Sequence, residues 1–157
     1  MKQMLDIVFI TVGKLRNKDY LSAAEEYLKR LKQDARIKII EVDPEPFSDS
    51  TREKAMKLEG ERLMRALEKL EGTTVFFLDE NGTEYSSIEF SDKLSAISGK
   101  IVFIVAGALG YSDEVRAIPG TRLSLSKMTF PHELARVMLY EQVYRAVAIM
   151  NKKTYHY

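Results

Sequence analysis

The sequence predicts an α/β domain built on a mostly parallel sheet, and three observations carry that expectation. Short apolar, β-branched runs alternate along the whole chain with longer stretches of helical spacing, the pattern of strand–helix–strand units. One run, Ile101–Ala106 (IVFIVA), is apolar on both faces, as a central strand covered by helices on each side must be. No repeat, low-complexity segment or linker interrupts the alternation, so residues 1–157 read as one domain, long enough to bury a core.

Leu5–Thr11 (LDIVFIT) reads as a buried strand ended by Gly13. From Asp19 to about Lys32 the apolar residues Leu21, Ala24, Leu28 and Leu31 share one helical face. Ile37–Val42 alternates as a second strand, and two prolines within three residues make Asp43–Asp49 a loop. Ser50 and Glu53 have capping-box spacing and open a helix to about Leu70, whose many Lys, Arg and Glu residues read as a solvated face. Thr74–Leu78 is a third strand, stopped by Asp79–Gly82 (DENG). Ser86 and Glu89 form a second capping box, for a helix to about Ile97; a turn at Ser98–Lys100 leads into the fourth strand, Ile101–Ala106. Gly107 to Gly110 breaks that strand, a short helix covers Ser112–Ala117, and Thr121–Leu125 is a fifth strand. Pro131 suits the first position of a last helix reaching about Met150, with Thr129 or Phe130 at its cap.

Composition excludes several chemistries. With no Cys there is no disulfide, no thiolate metal site and no Cys nucleophile, and no metal site is expected. The first residues, MKQMLDIVFI, lack the apolar length of a signal peptide, and no run is long enough to span a membrane, so a cytoplasmic protein without membrane contact is expected. The net charge is only +1, but residues 115–157 hold seven cations against two anions, a local +5 that leaves −4 on residues 1–114. This is either a basic face for an anionic partner or the sum of helix-end cations and of ion pairs from Arg136 and Arg145 to Glu133 and Glu141.

The carboxyl-terminal third gathers the candidate chemistry. Gly107-x-x-Gly110 follows a buried strand, where open α/β sheets receive ligands, although the dinucleotide fingerprint is absent and no P-loop Lys follows. Residues Ser124–Phe130 mix hydroxyls with Leu125, Met128 and Phe130, the polar and apolar lining that a nucleoside pocket needs; the same loop could be an ordinary strand-to-helix connection. The last helix is apolar around most of its circumference and so needs cover on more than one side, from a twin subunit or from the chain's own core. Both histidines lie in this third: His132, four residues from Arg136 on one helix face, and His156, in a Tyr155-His156 pair whose aromatic character suggests docking.

Together Phe103–Gly110 (FIVAGALG), Leu123–Ala146 (LSLSKMTFPHELARVMLYEQVYRA) and Tyr155-His156 closely resemble the bacterial large-subunit rRNA pseudouridine N3-methyltransferases of the SPOUT superfamily. Val12–Lys14 and Leu78–Gly82 fit the same pattern, so the resemblance covers the whole chain. It implies a SPOUT-type α/β knot, a mostly parallel sheet flanked by helices with a carboxyl-terminal trefoil knot, in a homodimer that binds S-adenosylmethionine. The implied cofactor contacts fall on Leu78, on Ala106 and Gly107, and on Leu125, Ser126, Lys127, Met128, Thr129 and Phe130.

The implied reaction methylates N3 of a pseudouridine in helix 69 of 23S rRNA, on the assembled ribosome. An imide nitrogen must shed its proton as the methyl arrives, so positioning and deprotonation are the tasks of the site. His132, Tyr155 and His156 are the candidates for that role, and Arg136, Lys152 and Lys153 for RNA phosphates. Two positions depart from the family pattern: Ala106-Gly107 stands where a Gly-Gly pair is usual, and Tyr157 where a cation often follows the Tyr-His pair. The alternatives are a non-enzymatic ribosome-binding protein that keeps the knot, and a SPOUT enzyme acting on another RNA base.

Overall fold

The computed structural model describes residues 2–156; Met1 and Tyr157, and with it the family departure at that position, lie outside the described residues. Five strands, β1 (Leu5–Val12), β2 (Ala35–Val42), β3 (Thr74–Glu84), β4 (Lys100–Val105) and β5 (Thr121–Ser124), form one sheet in the order β2-β1-β4-β3-β5. Every pairing is parallel. The helices are α1 (Lys18–Leu31), α2 (Arg52–Glu68), α3 (Ser87–Ser95), α4 (Asp113–Arg116) and α5 (His132–Met150). The fourth strand is the central one, as its two-faced apolar run requires.

One face of the sheet packs against α1, α3 and α5, the other against α2 and α4. Phe9, Phe103 and Phe76 stand side by side on three adjacent strands, Phe103 in register with both of the others. Their rings stack at 5.4 Å and 5.1 Å, and Tyr140 of α5 meets Phe9 edge-on at 4.8 Å. Such pairs contribute about 0.5–1.5 kcal/mol each beyond burial. The wide apolar stripe of α5 therefore finds much of its cover inside the chain, from the sheet beneath it and from α1 and α3 beside it.

Several local expectations are corrected. The capping box before α2 joins Ser48 to Thr51 and opens a short 3-10 turn, because the Ser48 N–H reaches the Thr51 hydroxyl at 2.9 Å. The face of α2 is not wholly solvated, since Glu59 is buried. The third strand does not stop at Leu78. Leu78 and Thr83 both pair with Leu123, so Asp79–Gly82 bow outward and the strand resumes beyond them. Pro131 is the cap of α5 rather than its first residue, and Thr129 gives its hydroxyl to Glu80 instead of to the helix.

Polar side chains tie the two ends of the chain together. Arg136, 3% exposed, donates to the carbonyls of Val12 and Gly13 at 2.9 Å and 3.1 Å. Glu133 accepts from the backbone N–H groups of Arg16 and Asn17 at 2.5 Å and 3.2 Å. The buried carboxylate of Asp34 lies between Lys153, which bonds to it directly, and Lys2, whose Nζ is 2.5 Å away. Burial opposes ionisation of Asp34, but the two ammonium groups outweigh it and hold the carboxyl below its ordinary range. A depressed carboxyl adds stability that is complete above its unfolded pKa of about 4 and is lost as pH falls through the folded value. Asp34→Asn is therefore expected to cost about 3 kcal/mol at pH 7. In urea titrations from pH 7 downward, the variant should also lose less stability than the parent below about pH 4.

Candidate functional site

A cleft of about 440 Å³ opens over the carboxyl ends of β3 and β4. Its walls come from three places: the bowed segment after Leu78, the Ala106–Gly110 turn after β4, and the loop between β5 and α5. Of the expected cofactor residues, Leu78, Ala106, Gly107, Leu125, Ser126, Met128, Thr129 and Phe130 all line it; Lys127 is exposed and does not. His132, at the start of α5, stands at its edge.

The β5–α5 loop is held by its own hydroxyls. Ser124 Oγ donates within reach of the Glu80 and Ser126 carbonyls (3.1 Å and 3.0 Å), and the Met128 N–H bonds to Ser126 Oγ at 3.0 Å. Thr129 bonds to the Glu80 carboxylate. The loop is thus tethered to the bow in β3, while Met128 stays 77% exposed over the opening. A side chain at Gly82 is excluded, because its Cβ would fall 2.4 Å from the Arg122 carbonyl oxygen.

Sequence reasoning missed the residues that brace this cleft. Tyr111, 5% exposed, places its hydroxyl 2.8 Å from the carbonyls of both Leu78 and Ile104, bridging β3 just before its bow and the end of β4 toward the cleft. Burial pushes its ionisation far above the ordinary tyrosine range, so it remains a donor. Arg116 pairs with Asp79 at 3.2 Å. Arg122 lies 3.8 Å over the Phe77 ring and donates to the carbonyls of Arg116 and Ile118 (2.6 Å and 3.0 Å), closing the end of α4. The aromatic-hydroxyl identity of Tyr111, just after the Gly107–Gly110 turn, was the available signal, but its partners are 33 and 7 residues away in the chain.

Tyr155 and His156 are elsewhere. Lys152 takes a left-handed conformation (φ 56°), and the Lys153 and Lys152 N–H groups return to Ala148 and Ile149, ending α5 and reversing the chain. The tail then lies along the second half of α5. Tyr155 donates to Glu141 at 3.1 Å and packs edge-on against Tyr144 at 4.7 Å. Burial, with Glu141's charge added, pushes the Tyr155 hydroxyl up to about 12, so it donates and does not serve as a base near neutrality. Arg145 bonds to Glu141 and sits 3.2 Å from His156 Nδ1. A guanidinium only donates, so Nδ1 accepts and the ring N–H is at Nε2.

The expected phosphate ligands are corrected in part. Arg136 is buried on backbone carbonyls and Lys153 is bound to Asp34, so both cations serve the fold; Lys152 is exposed. Among the described residues, no group of three or more His, Cys, Asp or Glu side chains is placed to hold a metal ion, and no helix is long and apolar enough to cross a membrane.

A parallel sheet with a tethered-loop cleft at its carboxyl edge is the architecture of an α/β enzyme that binds a small molecule there. A family model described as "Predicted SPOUT methyltransferase" matches residues 5–156. A ribosomal RNA large subunit methyltransferase H of Clostridium tetani is 39% identical over 160 residues, covering 97% of this chain and 99% of that protein. Its namesake in Pelotomaculum thermopropionicum is 41% identical over 162 residues, covering 98% and 100%. The chain belongs to the SPOUT methyltransferase family. Among solved structures, a probable methylase family protein of Haemophilus influenzae shares the fold at 15% identity, with a TM-score of 0.57 over 100% of this chain and 72% of that one.

Tyr111→Phe removes the hydroxyl that lies between the Leu78 and Ile104 carbonyls, and with it the single proton that they share. It is expected to lower unfolding free energy by about 1–2 kcal/mol, read by urea denaturation.

Proposed function

We propose that the protein is an S-adenosylmethionine-dependent methyltransferase that acts, as a homodimer, on N3 of a pseudouridine in helix 69 of 23S rRNA in the assembled ribosome. The observation that carries this reading is the tethered cleft: a family-matched chain presents the β3 end, the β4 turn and the Leu125–Phe130 loop around one cavity. The homologues named for large-subunit rRNA methylation, similar along their full length, supply the substrate class. The trefoil knot belongs to the same proposal, supported by the close passage of β5 against the bow in β3.

The cavity fits the cofactor. Its volume lies in the range of small-molecule sites, Leu78, Leu125 and Phe130 give apolar walls, and the Glu80 carboxylate suits a cationic ligand. A Cβ at Gly107 would sit 3.0 Å from Val12 Cγ1, so the backbone there stays bare for close approach. At Ala106 the methyl group sits at the pocket wall without closing it. When bound, the cofactor supplies a methyl group on a sulfonium, an electrophile that needs little further activation.

What remains for the protein is to position the acceptor and take its proton. His132 lies at the cleft edge, where it can meet the acceptor's imide N–H. Glu141, which holds Tyr155, is nine residues beyond His132 on α5, about 13 Å along the axis. The tail of the same chain is therefore remote from its own cleft, which supports its delivery to the cleft of a second copy. There Tyr155 donates, His156 orients or accepts, and Lys152 meets phosphate.

The test is incubation with methyl-labelled S-adenosylmethionine and ribosomes from a strain lacking the modification, followed by nuclease mapping and mass spectrometry. Label on one helix 69 pseudouridine is expected; label elsewhere, or none, overturns the reading. His156→Ala should cut turnover roughly a hundredfold while cofactor affinity stays within about twofold.

A further inference from the structure

A second cleft, of about 240 Å³, lies beside the first and shares Gly107, Ala108 and His132 with it. It sits over the carboxyl ends of β1 and β2, between Val12–Lys14 on one side and the Pro44–Phe47 loop on the other. Glu59 reaches its wall from α2. Although 4% exposed, this carboxylate is only half satisfied: Oε2 accepts the Glu45 N–H at 2.9 Å, and Oε1 is buried without a hydrogen-bond partner. Leaving a buried acceptor unpaired is costly, and the bond from the Glu45 N–H engages only one of the two oxygens. A Cβ at Gly107 would lie 3.6 Å from Oε1, so that oxygen adjoins the empty side-chain space of a glycine that lines both clefts.

The rest of the second cleft has the chemistry of a nucleotide site. Phe47 is 46% exposed, with the Arg52 guanidinium 5.7 Å from its ring centre, and offers an aromatic face for stacking. Lys14 and Arg16 are exposed at the rim, where phosphates would pass. The other carboxylates are already engaged: Glu45 bonds to Arg62 at 2.7 Å and Glu133 to two backbone N–H groups. Among the described carboxylates lining this cleft, Glu59 Oε1 is the buried oxygen without a partner.

We propose that this second cleft receives the acceptor base, and that Glu59 Oε1 accepts a hydrogen bond from the base's N1–H. The inference rests on the functional reading above and deepens it. With N3 turned toward the cofactor cleft for methylation, the other ring N–H of a pseudouridine is N1–H. Uridine has no N–H there, because its N1 carries the sugar and the ring presents C5–H at that edge. An acceptor-only, buried oxygen at this place reads the one group that separates the two bases, and uridine would leave it unpaired.

The experiment compares kcat/KM on two ribosome preparations, one carrying the unmethylated pseudouridine and one from cells lacking the pseudouridine synthase, for wild type, Glu59→Gln and Phe47→Ala. Cofactor affinity and melting temperature are measured alongside. In Glu59→Gln the amide oxygen keeps the Glu45 N–H and its NH₂ faces the cleft, donor against donor. The expected result is a roughly ten- to hundredfold fall on pseudouridine ribosomes, a smaller fall on uridine ribosomes and unchanged cofactor affinity. The ratio between the two substrates therefore drops, which a merely structural role would not produce. Phe47→Ala should lower kcat/KM about tenfold on both. Wild-type activity on neither preparation would refute the functional reading itself. Equal wild-type activity on both, an unchanged ratio in Glu59→Gln, or a loss of cofactor affinity in it would overturn the inference alone. Should Glu59→Gln fail to fold, an unaltered kcat/KM in Phe47→Ala overturns it.

Discussion

The close passage of β5 against the bow in β3 is the constraint on which the cofactor side depends. At Gly82 the two backbones approach so nearly that even a methyl group would collide with the Arg122 carbonyl. That approach brings Glu80 under the β5–α5 loop, where its carbonyl and carboxylate meet Ser124 and Thr129. It also sets Arg122 on Phe77 and against the last carbonyls of α4, so strand, loop and short helix share one anchor. A cavity wall made of loop residues is ordinarily mobile; here the Ser124 and Thr129 hydroxyls have partners in the strand below and the Ser126 hydroxyl one within the loop, which limits the entropy left to lose when a ligand binds.

A second set of ties works on the β1–β2 side of the sheet and is made by charged side chains rather than by steric contact. Arg136 reaches across to the last carbonyls of β1, Glu133 holds the loop that follows, and Asp34 is clamped by Lys2 and Lys153. All three join residues more than a hundred positions apart or couple both chain ends to α1's end. The carboxyl-terminal helix is thereby fixed against the first strand, and His132 is delivered to the boundary between the two clefts. Arg136 and Lys153, which the resemblance implied for RNA phosphates, are engaged in these ties, so the +5 of the last third overstates the charge available to a partner.

Strand order aside, the architecture was legible because it is written locally: a short apolar run marks β1, alternation marks β2, two-faced apolarity marks β4, and Ser86 with Glu89 form the cap that their spacing foretold. What escaped was non-local. DENG does interrupt β3, but only the pairing of Leu78 and Thr83 with the same Leu123 shows the strand resuming. Lys152 in a left-handed turn carries no Gly signature, and the buried state of Glu59 hides in a helix whose neighbours are charged. Two walls, the Gly107–Gly110 turn and the Ser124–Phe130 loop, were legible as segments beside strand ends, where such sheets gather loops, whereas the Leu78 wall came from the family resemblance.

The two clefts divide their chemistry by charge. In the first, Glu80 is bound by a neutral hydroxyl, so its negative charge is not cancelled there. In the second, Arg62 pairs with Glu45 and two backbone N–H groups stabilise the Glu133 carboxylate, while Lys14 and Arg16 stand at the rim. A sulfonium cofactor and a polyanionic acceptor make opposite demands, and a shared wall as thin as Gly107-Ala108 lets both be met without either field reversing the other. Glu59 is the exception that gives the arrangement its specificity. A carboxylate placed toward the anionic substrate weakens binding in general, and is worth keeping only if one particular N–H donor repays it.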